Sequence, residues 1–144
     1  MSDLKFTARA RSESPAKTIV EARGFKIIID EPESLGGSDH GANPVEYILG
    51  ALAGCLNVVG HLIAKELDFT LRGLELELEG DLNPERLFGT SLENRAGYNE
   101  VRVKITPDAD ADQELLTKWL DIVKERCPVS DNIANPTPVS ITLA

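Results

Sequence analysis

Two cysteines, 72 residues apart, are the only thiols in a chain of 144 residues. Cys55 stands in the middle of "GANPVEYILGALAGCLNVVGHLIAKEL", and Cys127 stands in "ERCPVSDN". A thiolate is a nucleophile and a metal ligand. A free cysteine with a pKa of about 8.5 is mostly protonated at neutral pH and needs help to react. On a helix, the neighbours of Cys55 at offsets of three, four and seven are Ile48, Ala51, Leu52, Val58, Val59 and Leu62, all apolar. That ring admits two roles. Cys55 can be a small buried hydrophobe with an inert thiol. It can instead be a nucleophile whose cation or hydrogen-bond donors come from elsewhere in the fold, since its own helix offers none at contact spacing.

The remaining chemistry-bearing groups narrow the choice little. Glu46, nine residues before Cys55, lies about 900° around the helix, half a turn off, and points to the opposite side. His61 follows Cys55 by six residues, about 120° from its direction, and His40 lies in a loop. The two histidines and two cysteines share no metal-ligand spacing, so no metal site is expected. "GGSDHG" lacks the Lys-Ser/Thr of a phosphate-binding loop. No cofactor is expected.

Composition excludes whole classes of partner. Lys and Arg number 15 against 24 Asp and Glu, a net charge of −9 with the basic residues scattered, which argues against a phosphate-tracking surface. Nucleic acid is therefore not an expected partner. "MSDLKFTARARSE" has no apolar core beside its basic residues, so it does not read as a secretory signal. Val45 to Ala64 contains Glu, Asn, His and three glycines, which reads as too polar and interrupted for a membrane span. A cytoplasmic protein is expected, where two cysteines are more often reactive or buried than a structural bridge.

The elements that must position the thiols follow from periodicity. At this length one domain, residues 1–144, can bury about 70% of its unfolded surface. "LKFTARAR" (4–11) alternates as a strand, and "KTIVEARGFKIIID" (17–30) reads as two strands around Arg23-Gly24, giving an antiparallel meander. Residues 31–44 are a loop ending in Asn43-Pro44, an N-cap and first-turn pair. The long helix then runs to about Asp68, apolar nearly all round and so buried on several sides. Its glycines and alanines allow close approach, as in the tight core of one chain or of a dimer. "LRGLELELEG" (71–80) and "EVRVKITPD" (100–108) alternate as paired strands with a Glu row beside an Arg/Lys row. "DADADQELLTKWLDIVKERC" is an amphipathic helix that Pro128 stops at Cys127, and "PVSITLA" (138–144) reads as a closing strand. The order β-β-β-α-β-β-α-β is α+β.

These residues carry a resemblance. "GANPVEYILGALAGC" followed by "CPVSDNI" resembles the osmotically inducible protein C family, which includes the organic hydroperoxide resistance proteins, and "GDL" and "GYNEVRVKI" add to the likeness. The resemblance implies an intertwined homodimer in which central helices pack together and sites form at the subunit interface. It further implies a thiol peroxidase for organic hydroperoxides, with Cys55 as attacking thiol, Cys127 as resolving thiol, an external dithiol as reductant, and neither metal nor other cofactor. An apolar ring around Cys55 suits an alkyl tail. The family's catalytic glutamate falls ten residues before the cysteine, where this chain has Val45, with Glu46 displaced by one residue and about 100°. The activating arginine is expected from the N-terminal region: Arg23 first, with Arg9 and Arg11 as further candidates and Arg95 on a later loop. The departure at Val45 keeps a second function open, a dimeric small-ligand-binding or redox-sensing protein of the same fold.

Overall fold

The computed structural model describes residues 1–144. Contacts gather the chain into two compact units, Met1–Ile48 and Leu49–Ala144. In the first, β1 (Arg9–Ser12), β2 (Thr18–Ala22) and β3 (Phe25–Ile29) form an antiparallel sheet in that order. Pairing begins only at Arg9 opposite Glu21, so the expected strand over residues 4–11 is displaced toward its C-terminal end. Leu4 and Phe6 are exposed and have no ladder to join. The β2–β3 hairpin turns on Arg23 and Gly24, with φ of 52° and 85°. Two left-handed central residues are what a two-residue type I′ hairpin requires. Glycine adopts that conformation freely, while Arg23 pays roughly 1–2 kcal/mol for it.

Beyond β3 the loop wraps around Asp30, which is fully buried. Its carboxylate accepts the amides of Glu31 (2.8 Å), Ser38 (3.3 Å) and His40 (3.1 Å). Burial opposes the charge, but these three donors hold its pKa below the usual carboxylate value. A Cβ on Gly37 would lie 1.9 Å from the Glu31 carbonyl oxygen, and one on Gly41 2.3 Å from that of Ile28, so the loop closes only with glycine there. Tyr47 then donates its hydroxyl to Ile28 O at 2.6 Å and fixes the start of the long helix.

That helix, α1, spans Pro44–Glu66. Its row Leu52, Leu56, Val59 and Ile63 is buried, and together with Ala64, Trp119, Val123 and Cys127 it makes the core of the second unit. The strands β4 (Leu71–Leu82) and β5 (Tyr98–Ala109) pair antiparallel and turn Leu74, Leu76, Leu78, Val101, Val103 and Ile105 toward this core. On the outer face Glu79 opposes Arg102 and Glu77 opposes Lys104. Arg102 reaches Glu79 (2.8 Å), Asp81 (2.7 Å) and Glu100 (2.7 Å), the expected meeting of the two charged rows. The helix α2 (Gln113–Arg126) starts at Asp112, whose side chain accepts the Leu115 amide at 2.9 Å.

Three sequence expectations change. The long helix is not buried on several sides of the single chain: Val58 and Leu62 remain 67% and 47% exposed. The same helix is long and apolar enough to cross a bilayer by length and composition alone, so composition does not exclude a span. What it does in this fold is pack one face into a protein core. The closing strand over residues 138–144 does not form; instead a short helix α3, Pro128–Ala134, follows α2, and the chain then runs out with Val139, Ile141 and Leu143 exposed. A strand needs a neighbour to take its backbone hydrogen bonds, and the single chain offers none to this segment. The order is thus β-β-β-α-β-β-α-α, still α+β with antiparallel sheets.

Candidate functional site

Cys55 and Cys127 meet in the second unit. At 100° per residue, Cys55 falls on α1 between the buried row, Leu52, Leu56 and Val59, and an exposed apolar row, Ala51, Val58 and Leu62. Its thiol is accordingly half-buried and packs against the core cluster that contains Cys127. Cys127 itself is 1% exposed.

The local sequence explains why Cys127 arrives there. Trp119 anchors α2 by donating its indole N–H to Gly60 O at 2.8 Å. Gly60 permits the approach: a Cβ there would stand 3.0 Å from both Trp119 Cζ2 and Leu74 Cδ1. Phe69 meets the same indole edge to face, with ring centroids 6.5 Å apart. At the end of α2, Arg126 clamps Glu66 through two bonds of 2.6 and 3.0 Å, and that guanidinium lowers the Glu66 pKa. Pro128 then forces an extended backbone at Cys127, with φ −79° and ψ 110°. Cys127 closes α2 and opens α3, its sulfur accepting the Ser130 amide at 3.4 Å as the N-cap.

Cys55 packs against the cluster that holds Cys127, and the two thiols are near enough to influence one another's titration. Burial, first, and the neighbouring Cys55, second, push the Cys127 thiol above its ordinary value, against the opposing pull of the Ser130 amide. Cys127 therefore holds its proton at neutral pH. The more accessible sulfur, on the edge of an exposed apolar row, belongs to Cys55.

The other sequence candidates each make contacts of their own. Glu46 serves its helix start: its carboxylate accepts the Asn43 amide at 3.0 Å while Asn43 Oδ1 accepts the Glu46 amide at 2.9 Å. This reciprocal capping box was half legible in the Asn-Pro pair. Arg23 stands at the tip of the β2–β3 hairpin with its guanidinium 5.3 Å from the centroid of the Phe25 ring. Arg9 and Arg11 line a groove of about 770 Å³ along β1 and β2 with Ile19 and Glu21. Arg95 lies exposed in the β4–β5 connection. His40 Nδ1 is 3.1 Å from Lys17 Nζ, and His61 Nδ1 is 2.9 Å from Asn57 O. No three His, Cys, Asp or Glu side chains converge to hold a metal ion.

Comparison with known proteins now places the chain. The family profile described as OsmC-like protein matches residues 36–142, a span that includes α1, both cysteines and both long strands. This chain belongs to the OsmC-like family. Among solved structures, an OsmC-like protein from Mycoplasma pneumoniae superimposes with a TM-score of 0.80 at 19% identity, covering 92% of this chain and 89% of that one. An organic hydroperoxide resistance protein from Legionella pneumophila gives 0.65 at 19% identity, covering 92% and 91%. Another from Elizabethkingia anophelis gives 0.65 at 15% identity, covering 90% and 88%. A search of curated protein sequences returned no match. At these identities the likeness shows the fold, and the OsmC-like fold expected from sequence is the one observed.

Proposed function

We propose that this OsmC-like protein is a cytoplasmic, homodimeric thiol peroxidase that reduces organic hydroperoxides through Cys55 and Cys127. The observation that carries the proposal is that two thiols 72 residues apart are gathered at one core cluster, one half-buried and the other buried with its proton held. The Cys55 thiolate attacks the outer oxygen of the hydroperoxide, the O–O bond breaks, and the alkoxide takes a proton and leaves as the alcohol. Cys55 is then a sulfenic acid. Cys127 attacks its sulfur, water leaves, and a Cys55–Cys127 disulfide results, which an external dithiol reduces. A reducing cytoplasm suits a protein whose resting state is the dithiol.

The homodimer rests on unpartnered surface in the single chain. Val58 and Leu62 leave an apolar row beside Cys55 open, and Val139, Ile141 and Leu143 alternate along a segment without a sheet. A second copy covers the first and offers the second a neighbour, which also explains why a strand read from sequence stays unpaired. Arg23 is the proposed activating cation, since a strained backbone at a hairpin tip is a recurrent mark of function.

One observation favours a second reading, a dimeric ligand-binding or redox-sensing protein: Glu46 is committed to its helix cap and Val45 occupies the position ten before Cys55. The test is consumption of cumene hydroperoxide with a dithiol reductant. The peroxidase reading predicts turnover in the wild type, none in Cys55→Ser, and a single turnover in Cys127→Ser that leaves a trappable sulfenic acid. It also predicts that Val45→Glu accelerates the reaction by roughly ten- to hundredfold, the worth of one charge-assisted hydrogen bond of about 1.5–3 kcal/mol. Full turnover in Cys55→Ser, or none in the wild type, leaves the second reading.

A further inference from the structure

Resting on the two-cysteine reading above, we propose that α3 is a redox-gated opening: disulfide formation withdraws Cys127 from the cap of α3, and the loosened helix admits the reductant to the Cys127 sulfur. In the dithiol state Cys127 is sealed from solvent, so a reductant has no path to it. When the two neighbouring thiols become a disulfide, one of the sulfurs must move. Cys55 is held in the middle of a 23-residue helix whose adjoining Leu52, Leu56 and Val59 are buried. Cys127 sits at a joint between two helices, where its sulfur accepts the Ser130 amide. The soft side is α3, which has seven residues, none of them buried. A helix that short has little stability of its own. Its first turn depends on the sulfur cap and on the Asp131 amide bonding to Cys127 O at 3.0 Å. A rotated, disulfide-bonded sulfur no longer accepts from Ser130, and the first turn frays.

A thiolate attacks one sulfur of a disulfide and the other leaves, and the sulfur that the loosened helix uncovers is that of Cys127. The reductant thiolate therefore bonds to Cys127 Sγ, the S–S bond breaks, and its electron pair departs on Cys55 Sγ, which takes up a proton. The reductant's second thiolate then attacks its own sulfur in the mixed disulfide, releases Cys127 to regain its proton, and the dithiol ends as a disulfide.

The test begins with the full-length protein oxidised by one equivalent of diamide, which needs no peroxidase activity, and checked by intact mass. Amide hydrogen exchange of oxidised and reduced protein is compared by mass spectrometry. The expected result is exchange faster by about tenfold or more across Ser130 to Asn135 in the disulfide form, with the α1 amides around Cys55 unchanged. Cys55→Ser treated in the same way should show no change at α3. In a second arm, N-acetylcysteine is added to the oxidised protein and quenched with iodoacetamide; peptide mapping should place the adduct on Cys127 and the alkyl group on Cys55. A confirmed disulfide with unchanged α3 exchange, or an adduct on Cys55, overturns the gate and leaves the peroxidase reading standing. Failure of diamide to join the two cysteines overturns both.

Discussion

Replacing Val58 by Asp tests whether the open face of α1 is covered by a second copy. In the single chain Val58 is 67% exposed. An exposed substitution of this kind changes monomer stability by about 0.5 kcal/mol or less. If a second copy covers the face, the exposed two-thirds of each valine is removed from water. With about 1.5–3 kcal/mol for burying a whole aliphatic side chain, that is about 1–2 kcal/mol per chain. In a two-fold interface each residue counts twice, giving about 2–4 kcal/mol. The dimer dissociation constant should therefore rise by roughly 30- to 900-fold. Desolvating two carboxylates across the axis makes this a lower bound. Sedimentation equilibrium from nanomolar to tens of micromolar reads it directly, with urea unfolding as the control for the fold. A wild type that is monomeric throughout refutes the reasoning, as does an unchanged dissociation constant in Val58→Asp.

Three further outcomes are expected. Because burial raises the Cys127 pKa above the ordinary thiol value, the folded state keeps a proton there that the unfolded state gives up. This contribution to stability is complete below the ordinary value of about 8.5 and is lost as pH rises toward the folded-state value. Urea midpoints of the reduced protein should fall between pH 8 and 10 and fall less in Cys127→Ala; parallel declines would argue against a sealed thiol. Asp30 has the opposite sign: its lowered pKa makes its stabilisation present above the ordinary carboxylate value and lost as pH falls below it, so Asp30→Asn should flatten the acid limb of the unfolding profile. Trp119→Phe, which loses the buried bond to Gly60 O, should cost about 1–2 kcal/mol in urea unfolding; a change within error would mean that the indole only fills space.

Much of this was legible where a residue's periodicity had one outcome. Leu and Glu alternating from Leu74 to Glu79 could only be a strand with one wet face, and the partner strand's Arg102 and Lys104 met that face. Gly60 reads as a point of close approach, and both Leu74 and Trp119 use it. Periodicity could not say which apolar row of α1 enters the core, because Leu52, Val59, Val58 and Leu62 are alike in polarity. Burial of Asp30 has no periodic signal, although an aspartate ending "FKIII" ahead of a glycine-rich loop offers an acceptor to amides that need one. From sequence Pro128 marks the stop of α2, yet proline at a first helical position also starts a helix, and the sulfur of Cys127 supplies the cap. The nearness of the two cysteines followed from no spacing; a separation of 72 residues conceals it, and only the family resemblance suggested it.

The central claim is that Cys55 and Cys127 work as one redox pair on an organic hydroperoxide. Thiol titration of the reduced protein before and after one equivalent of cumene hydroperoxide per chain, followed by non-reducing peptide mapping, tests it directly. The account predicts the loss of both thiols and a single disulfide joining the peptides of Cys55 and Cys127. Two thiols still titrating after the peroxide, or oxidation that leaves Cys127 free and Cys55 unmodified, would contradict it.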